Sequence, residues 1–217
     1  AINRGRVAKA MGVAETHLMG VHQIHSADCV TVSEVSADKP KADALVTATK
    51  GIALSVLTAD CQPVLFADKD AGVIGAAHAG WQGALNGVLD ATIDAMVGLG
   101  ATRENIVAVI GPSISQKAFE VGIDFAERFI DEDHANARFF ANGAIGKMQF
   151  DLPAFGLAGF GLLGSKSGLD AALLALLSAS AFTSASTSTP TSPSSALIFS
   201  FFSSPPHPPY NSSRSVN

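Results

Sequence analysis

The pattern of apolar and polar positions predicts short strands spread over the first 110 residues. Runs rich in Val, Ile and Leu, separated by Asp, Lys and Gly, are typical of strands. These runs are Leu18–Ile24, Cys29–Val35, Ile52–Leu57, Pro63–Ala67, Val73–Ala77 and Ile106–Ile110. The segment Asp68-Lys69-Asp70-Ala71-Gly72 lies between two of them and predicts a hairpin connection.

Helical periodicity appears at three places. Residues 2–12 predict a short helix that ends at Gly12. Apolar positions from Leu85 to Val97 recur in steps of three and one, which predicts one long helix after residue 77. A further helix is expected over residues 115–130, with Phe119, Ile123, Ala126 and Ile130 facing inward. Strands mixed with helices predict a single α+β (mixed α/β) domain, with mixed β-sheets flanked by helices.

Charge is distributed unevenly over the 217 residues. The chain has 14 basic and 19 acidic residues, and four of these 33 follow residue 150. The segment Ser178–Asn217 holds 14 Ser, 4 Thr and 6 Pro with Arg214 as its one charge. Such composition is ordinarily disordered or a linker. We therefore expect a core over residues 1–157 and an atypical carboxyl-terminal segment over 158–217, rich in Ser and Pro from residue 178.

The overall balance argues against several classes of partner. The net charge is −5 and no basic run occurs, whereas nucleic-acid binding needs clustered Lys or Arg. The most apolar uncharged run, Ala171–Leu177, is far shorter than the roughly 20 residues of a membrane-spanning helix. The amino end has no hydrophobic signal core, and two cysteines make no disulfide scaffold. The sequence thus predicts a cytoplasmic protein that binds neither nucleic acid nor membrane.

Reactive side chains gather in three segments at predicted strand ends: Gln23–Asp28, Thr58–Pro63 and His78–Gly83. Side chains at such ends can converge on a cleft that the sheet holds rigid. His25, Cys61 and His78 would together offer two imidazoles and a thiolate. That set, with a fourth position open, suits catalytic zinc and also copper.

Spacing alone leaves this metal site undecided. A buried Cys is usually a small hydrophobe, and a lone His is usually a hydrogen-bonded structural residue. Asp60, beside Cys61, is a candidate for proton transfer or for orienting a ligand, and the alternative is that it caps a turn. Trp81 either stacks on a base or belongs to the core. Asp43 most simply caps a strand.

Four segments together resemble the YfiH family. They are Gln-Ile-His at residues 23–25, Thr-Ala-Asp-Cys-Gln-Pro-Val-Leu-Phe at 58–66, Ala-Ala-His-Ala-Gly-Trp-Gln-Gly at 76–83 and Ile-Gly-Pro-Ser-Ile at 110–114. The similarity runs from about Asn3 to about Leu157. Members of that family have been described as polyphenol oxidases or laccase-domain proteins, and as purine nucleoside phosphorylases with adenosine deaminase activity.

The resemblance implies that His25, Cys61 and His78 bind zinc or copper inside a purine nucleoside site. His25 rather than His22 takes the ligand role, because it directly follows Gln23-Ile24. We therefore predict Cys61 and Asp60 as catalytic residues. The predicted substrate-binding residues are Gln23, Trp81 and Gln82.

The predicted reaction is phosphorolysis of adenosine or inosine, with possible deamination of adenosine. The substrates would be a purine nucleoside and phosphate, and the start of the helix after His78 would attract the phosphate. One alternative is a laccase-like polyphenol oxidase that uses copper. Others are a non-catalytic metal-binding domain and a thiol hydrolase that uses Cys61 with His78.

Three departures from the family pattern qualify this prediction. The chain starts some way into the family, so that amino-terminal strands are expected to be missing. Gln82 stands where the family usually has Arg or Lys, which removes a charge that would hold an oxyanion. The similarity fades after residues 150–157. Our hypothesis for the tail is a shifted reading frame, and the alternative is a natural low-complexity extension.

Overall fold

The computed structural model of the chain describes residues 2–160, 196–197 and 200–201. In that part of the chain the α-helices are α1 (Ile2–Ala10), α2 (Trp81–Leu85), α3 (Val88–Gly98), α4 (Ile123–Glu132) and α5 (Leu152–Phe160). The strands are β1 (Leu18–Met19), β2 (Cys29–Thr31), β3 (Ala44–Thr47), β4 (Ala53–Leu54), β5 (Leu57–Thr58), β6 (Gln62–Asp68), β7 (Val73–Ala79), β8 (Val107–Ile110), β9 (Glu120–Gly122), β10 (Phe140–Asn142), β11 (Lys147–Phe150), β12 (Ala196–Leu197) and β13 (Ser200–Phe201).

A five-stranded mixed sheet forms the centre, with strand order β2-β3-β7-β6-β8. β2 runs parallel to β3, and the other neighbours are antiparallel. β6 and β7 form the hairpin that the sequence predicts, with Asp68 opposite Val73. Gly72 closes its turn at φ 67°, a conformation that glycine adopts without steric penalty.

Alternation along the central strands separates two apolar layers. Val64 and Phe66 face one side, where they pack with Ile93 and Met96 of α3. Leu65 and Ile74 face the other side and pack with residues near β4, including Leu54. Because side chains alternate across a strand, this arrangement buries both faces of the sheet. The apolar stripe predicted for the long helix is confirmed from Val88 to Met96, whereas Val97 at its end is exposed.

A second, antiparallel sheet of order β10-β11-β9 carries α4 and an aromatic cluster. Phe129 and Phe150 are fully buried at its centre, 4.7 Å apart between ring centroids. The remaining strands are short and pair in parallel, as β1-β4-β12 and β5-β13. The mixed sheets with flanking helices confirm the predicted α+β architecture.

Two predicted helices differ from the structure. The helix predicted as continuous after residue 77 is broken between α2 and α3, because Gly87 takes a left-handed φ of 90°. The helix predicted over 115–130 begins only at Ile123, after a 3-10 turn and β9. Ile123 is half exposed, and the buried residues of α4 are Ala126 and Phe129.

The predicted division at residue 157 falls within α5 and stays a prediction. Most of the Ser/Pro-rich segment lies outside the described residues, as does the proposed change of reading frame. The described residues of this segment form β12, which pairs with β4, and β13, which pairs with β5. No helix in the described part of the chain has the length and apolar character needed to cross a membrane.

Candidate metal centre

Strand register brings the second and third reactive segments together. Gln62 and Pro63 at the start of β6 lie opposite Ala79 and His78 at the end of β7. Cys61 directly precedes β6, so it reaches the sheet edge where His78 lies. The first reactive segment forms a loop over this edge, and it carries His25.

The three predicted metal ligands form one compact cluster. The potential ligand atoms of His25, Cys61 and His78 all lie within 4.8 Å of one another. His25 Nε2 is 3.8 Å from Cys61 Sγ, and the two imidazole centroids are 4.9 Å apart. His25 is exposed, Cys61 is half-buried and His78 is buried. Among the described residues this is the one group of three or more such side chains.

Asp43 fixes the orientation of the His78 ring. Its carboxylate is fully buried, and Oδ1 lies 2.8 Å from His78 Nδ1. Burial lowers the pKa of His78, and the hydrogen bond to Asp43 only partly opposes this effect. The imidazole is therefore neutral at neutral pH. Its Nδ1–H donates to Asp43, which leaves Nε2 as the unprotonated nitrogen.

The other oxygen of Asp43 holds the loop that carries His25. Oδ2 accepts the backbone N–H of Ile24 at 3.1 Å and that of Ser26 at 2.6 Å. Burial by itself would raise the pKa of Asp43. The hydrogen bonds from His78, Ser26 and Ile24 outweigh burial, so the pKa is lowered and the carboxylate is ionised.

His25 has a left-handed backbone conformation, with φ 61°. Among the described residues it is the one non-glycine residue with positive φ. Such a conformation persists only when the surroundings enforce it, and it is common at functional sites. Here the N–H groups on both sides of His25 are bound to Asp43.

Gln23 also anchors the loop that carries His25, through two hydrogen bonds with the backbone of Leu57. Its Nε2 donates to the carbonyl of Leu57 at 2.7 Å, and its Oε1 accepts the N–H of Leu57 at 2.8 Å. Gln23 therefore pairs with the backbone of β5 as another strand residue would. Its substrate-binding role stays a prediction beside this structural contact.

Gly80 leaves the space in which the cluster lies. A Cβ at this position would be 2.8 Å from His25 Cδ2 and 3.0 Å from Cys61 Sγ. Two imidazoles and a thiol, with no side chain between them, form a donor set that zinc and copper both accept. The residues present therefore fit a metal ion of this class.

The environment of Cys61 argues against a free cysteine nucleophile. Burial, reinforced by the negative charges of Asp60 and Asp43, raises the pKa of the Cys61 thiol to about 11. Reactive cysteines instead have lowered pKa values in electropositive surroundings. A bound metal ion removes the proton from a coordinating thiol, which makes ligation the better use of this residue.

The remaining predicted site residues have different surroundings. Asp60 and Gln82 are exposed. Trp81 is half-buried, and its ring packs edge-on against Phe125 at 4.9 Å while the Arg128 guanidinium lies 5.8 Å from its centroid. These contacts account for Trp81 as part of the aromatic cluster. Substrate roles for Trp81 and Gln82 and a catalytic role for Asp60 stay predictions.

The helix that was expected to attract phosphate is short. α2 has five residues and ends at Leu85, before the break at Gly87. The macrodipole and the free N–H groups of one short turn offer little of the anion attraction expected of a long helix. The structure therefore removes the physical basis for predicting a phosphate at this helix start.

Sequence reasoning missed the roles of Asp43 and Gly80. The signal for Asp43 was available, because the carboxylate directly precedes the apolar strand Ala44–Thr47, where a free charge would be unfavourable. Gly80 gave no comparable signal, since a glycine between strand and helix is ordinary in any turn.

A family model described as multi-copper polyphenol oxidoreductase laccase matches residues 1–165. The chain belongs to this family. Two solved structures that resemble this chain carry the names DUF152 and YfiH. A Neisseria meningitidis protein of family DUF152 is 38% identical with a TM-score of 0.68, over 75% of this chain and 64% of the neighbour. A Bacillus licheniformis protein described as YfiH is 26% identical with a TM-score of 0.69, over 75% and 65%. The resemblance to the YfiH family is thereby confirmed.

Curated relatives of this laccase-domain family member include named enzymes. A purine nucleoside phosphorylase of Rickettsia prowazekii is 41% identical over 136 residues, which are 62% of this chain and 56% of the relative. One of Deinococcus radiodurans is 46% identical over 130 residues, or 58% and 49%. An adenosine deaminase from an unknown prokaryotic organism is 36% identical over 159 residues, or 68% and 60%. The chain thus spans about half the length of the curated relatives it matches.

Proposed function

We propose that this protein is a metal-dependent purine nucleoside phosphorylase. The observation that carries the proposal is the cluster of His25, Cys61 and His78, whose potential ligand atoms lie within 4.8 Å of one another at one sheet edge. The relatives named purine nucleoside phosphorylase support the reaction class. The relative named adenosine deaminase supports hydrolytic removal of the adenosine amino group as a second activity of the same site.

In the proposed reaction a phosphate oxygen bonds to C1′ of the ribose. The bond from C1′ to the purine nitrogen breaks, and the purine leaves with a proton as ribose 1-phosphate forms. A zinc or copper ion held by His25, Cys61 and His78 would supply Lewis-acid polarisation of a bound oxygen.

The protein's own residues would divide the remaining work. His78 is a neutral imidazole because burial lowers its pKa, and the hydrogen bond from Nδ1–H to Asp43 leaves Nε2 free to bind the metal. Asp60 is exposed next to Cys61, and we propose it as the residue that takes part in proton transfer at the reacting nucleoside. Gln82, on the exposed side of α2, would contact the nucleoside without supplying a positive charge.

A copper-dependent phenol oxidase is the second candidate, favoured by the description of the family model. The described residues offer one such ligand cluster, with two imidazoles and a thiolate. Cys and two His with a weak axial ligand are typical of electron-transfer copper. A non-catalytic metal-binding domain is the remaining alternative.

The test is a set of assays on the purified full chain. Adenosine and inosine are supplied with and without phosphate, and release of adenine or hypoxanthine is followed before and after chelation and return of Zn²⁺ or Cu²⁺. We expect release that depends on phosphate and metal. Cys61→Ala should reduce it by about 100-fold or more, because one of three ligands is lost.

Cys29→Ala is the matched control. Its thiol is half-buried on β2, and burial raises its pKa to about 11 as well. It packs against the α3 layer and lies outside the cluster. We expect this variant to keep the activity. Phenol oxidation alone would favour the copper oxidase, and metal binding with neither activity would contradict both enzymes.

A further inference from the structure

One buried carboxylate contacts two of the three segments that carry the proposed metal ligands. Asp43 has no exposed surface and directly precedes β3. One oxygen lies 2.8 Å from His78 Nδ1 on β7, and the other accepts two backbone N–H groups from the loop of His25. In addition, the backbone N–H of His78 donates to the Asp43 carbonyl at 2.7 Å.

We infer that Asp43 is a positioning residue for the metal site, which sets the tautomer of His78 and the backbone geometry of His25 at the same time. The inference rests on the metal site of the proposed function and assigns a role to a residue outside the ligand set. Asp43 lies outside the group of three potential metal ligands and acts through two of them.

The first half of this role follows from hydrogen-bond chemistry. An ionised carboxylate accepts hydrogen bonds and donates none. His78 Nδ1 must therefore carry the hydrogen, and the lone pair must lie on Nε2, which is the nitrogen left to bind metal. Carboxylates that bind the second nitrogen of a ligating imidazole fix its tautomer and raise its basicity.

The second half follows from the loop. The N–H groups of Ile24 and Ser26 converge on a single oxygen, and between them His25 takes its left-handed φ. Gln23 holds the loop to Leu57, but its contacts lie on one side of His25 only. Asp43 is thus the group that ties down both sides of this strained residue.

An amide could not replace the carboxylate. The Asn side chain has one acceptor oxygen and one donor nitrogen. If its oxygen faces the loop, its NH₂ group opposes the Nδ1–H of His78 and favours the tautomer with hydrogen on Nε2. If its oxygen faces His78, its NH₂ group opposes the two N–H groups of the loop. Either orientation disturbs one ligand.

The matched control is Asp68, the second aspartate that is buried in the central sheet. It is 1% exposed, lies at the far end of β6 and accepts backbone N–H groups only. Asp43→Asn and Asp68→Asn therefore make the same chemical change in comparable surroundings. The two variants differ in whether the lost oxygen serves a proposed metal ligand.

Two measurements on the full chain test the inference. Competition against a chromophoric chelator gives the affinity for Zn²⁺, and we expect Asp43→Asn to weaken it by about 10- to 100-fold while Asp68→Asn changes it by less than about twofold. Nitrogen-15 NMR of the imidazoles in metal-free protein reports the tautomer. We expect hydrogen on Nδ1 of His78 in the wild type and in Asp68→Asn, and hydrogen on Nε2 or a mixture in Asp43→Asn.

Unchanged Zn²⁺ affinity in a folded Asp43→Asn variant would overturn the inference. So would hydrogen on Nε2 of His78 in the metal-free wild type, a result that needs no folded variant. Asp43→Glu restores the charge one methylene away, and it should recover the tautomer better than the affinity. If the wild type bound Zn²⁺ without phosphorolysis, the proposed function would fail while the role of Asp43 would still be decided.

Discussion

The two ends of the central sheet each bury one aspartate, and they use it differently. At the hairpin end, Asp68 accepts the backbone N–H groups of Asp70 and Ala71 in the turn and of Thr102 beyond α3. All three partners are backbone groups outside the proposed metal site. At the cluster end, Asp43 accepts backbone N–H groups too, but one of its oxygens is given to an imidazole.

Backbone conformation and hydrogen bonding follow the usual local preferences at the hairpin end of the sheet, where Asp68 lies. They depart from these preferences at the cluster end, where Asp43 lies. The positive φ of the hairpin turn falls on Gly72, where it is unstrained, whereas the positive φ of the cluster loop falls on His25. The cluster end also buries the Gln62 amide, whose two polar atoms have no hydrogen-bond partner among the described residues. Natural proteins depart from local consistency mainly at functional sites, so this contrast supports the proposal that the cluster end is the working end of the sheet.

The largest effect that we expect comes from adding one methyl group at each end of the sheet, by Gly80→Ala at the cluster end and by Gly72→Ala at the hairpin end. Gly80→Ala places a Cβ against His25 and Cys61, although its φ of −65° suits alanine. The effect is therefore steric, and we expect Zn²⁺ affinity to fall on the order of 100-fold. Gly72→Ala meets no neighbouring atom but has a positive φ, so we expect a stability loss of about 1 kcal/mol with unchanged affinity.

Chelator competition and urea unfolding of both variants check these outcomes. Similar affinity losses in the two variants would show that the sheet responds as a whole. The distinction between a working end and a scaffold end would then be wrong.

The sequence predicted the parts of the fold that depend on local patterns. The hairpin of β6 and β7 follows from two apolar runs around a turn rich in Asp and Gly, and α3 follows from its periodic apolar stripe. The break at Gly87 escaped prediction because periodicity continues through it. The sheet of β9, β10 and β11 escaped because its strands are three or four residues long and gain their stability from aromatic packing with distant segments.

Predicting the site depended on different information. The three cluster residues were found as reactive side chains at strand ends, and family resemblance gave them a shared role. The placement of Asp43 opposite His78 depends on the register of β3 with β7, which the sequence did not reveal because β3 itself was not predicted. Long-range register, rather than residue type, is what limited the prediction.

Gln62→Leu tests whether the buried amide at the cluster end lowers the stability of the protein. Gln62 is fully buried and packs against Gly156 of α5, where a Cβ would overlap the amide oxygen. A buried polar group without a partner costs about 1–3 kcal/mol, and leucine fills similar space without that penalty. We expect the free energy of unfolding to rise by about 1–3 kcal/mol in urea titrations.

Gln62→Glu is the matched comparison, because it keeps the shape and adds a buried charge. It should be less stable than the wild type. If Gln62→Leu were instead destabilised, the amide would have a partner in solution. The cluster end would then satisfy its polar groups as the hairpin end does.

The smallest expected effect concerns the pH dependence of the hairpin end. Hydrogen bonds from the N–H groups of Ala71 and Thr102 lower the pKa of Asp68 below the ordinary value of 3.8. Since the unfolded chain takes up this proton first, the contribution of Asp68 to stability is complete above the unfolded pKa and is lost as pH falls through the folded pKa. Urea unfolding from about pH 6 to about pH 3 should therefore show the stability difference between wild type and Asp68→Asn shrinking as pH falls. If the stability difference between wild type and Asp68→Asn stayed constant with pH, the Asp68 carboxylate would stabilise the turn through its shape and not its charge. The two ends of the sheet would then not share the use of a buried negative charge.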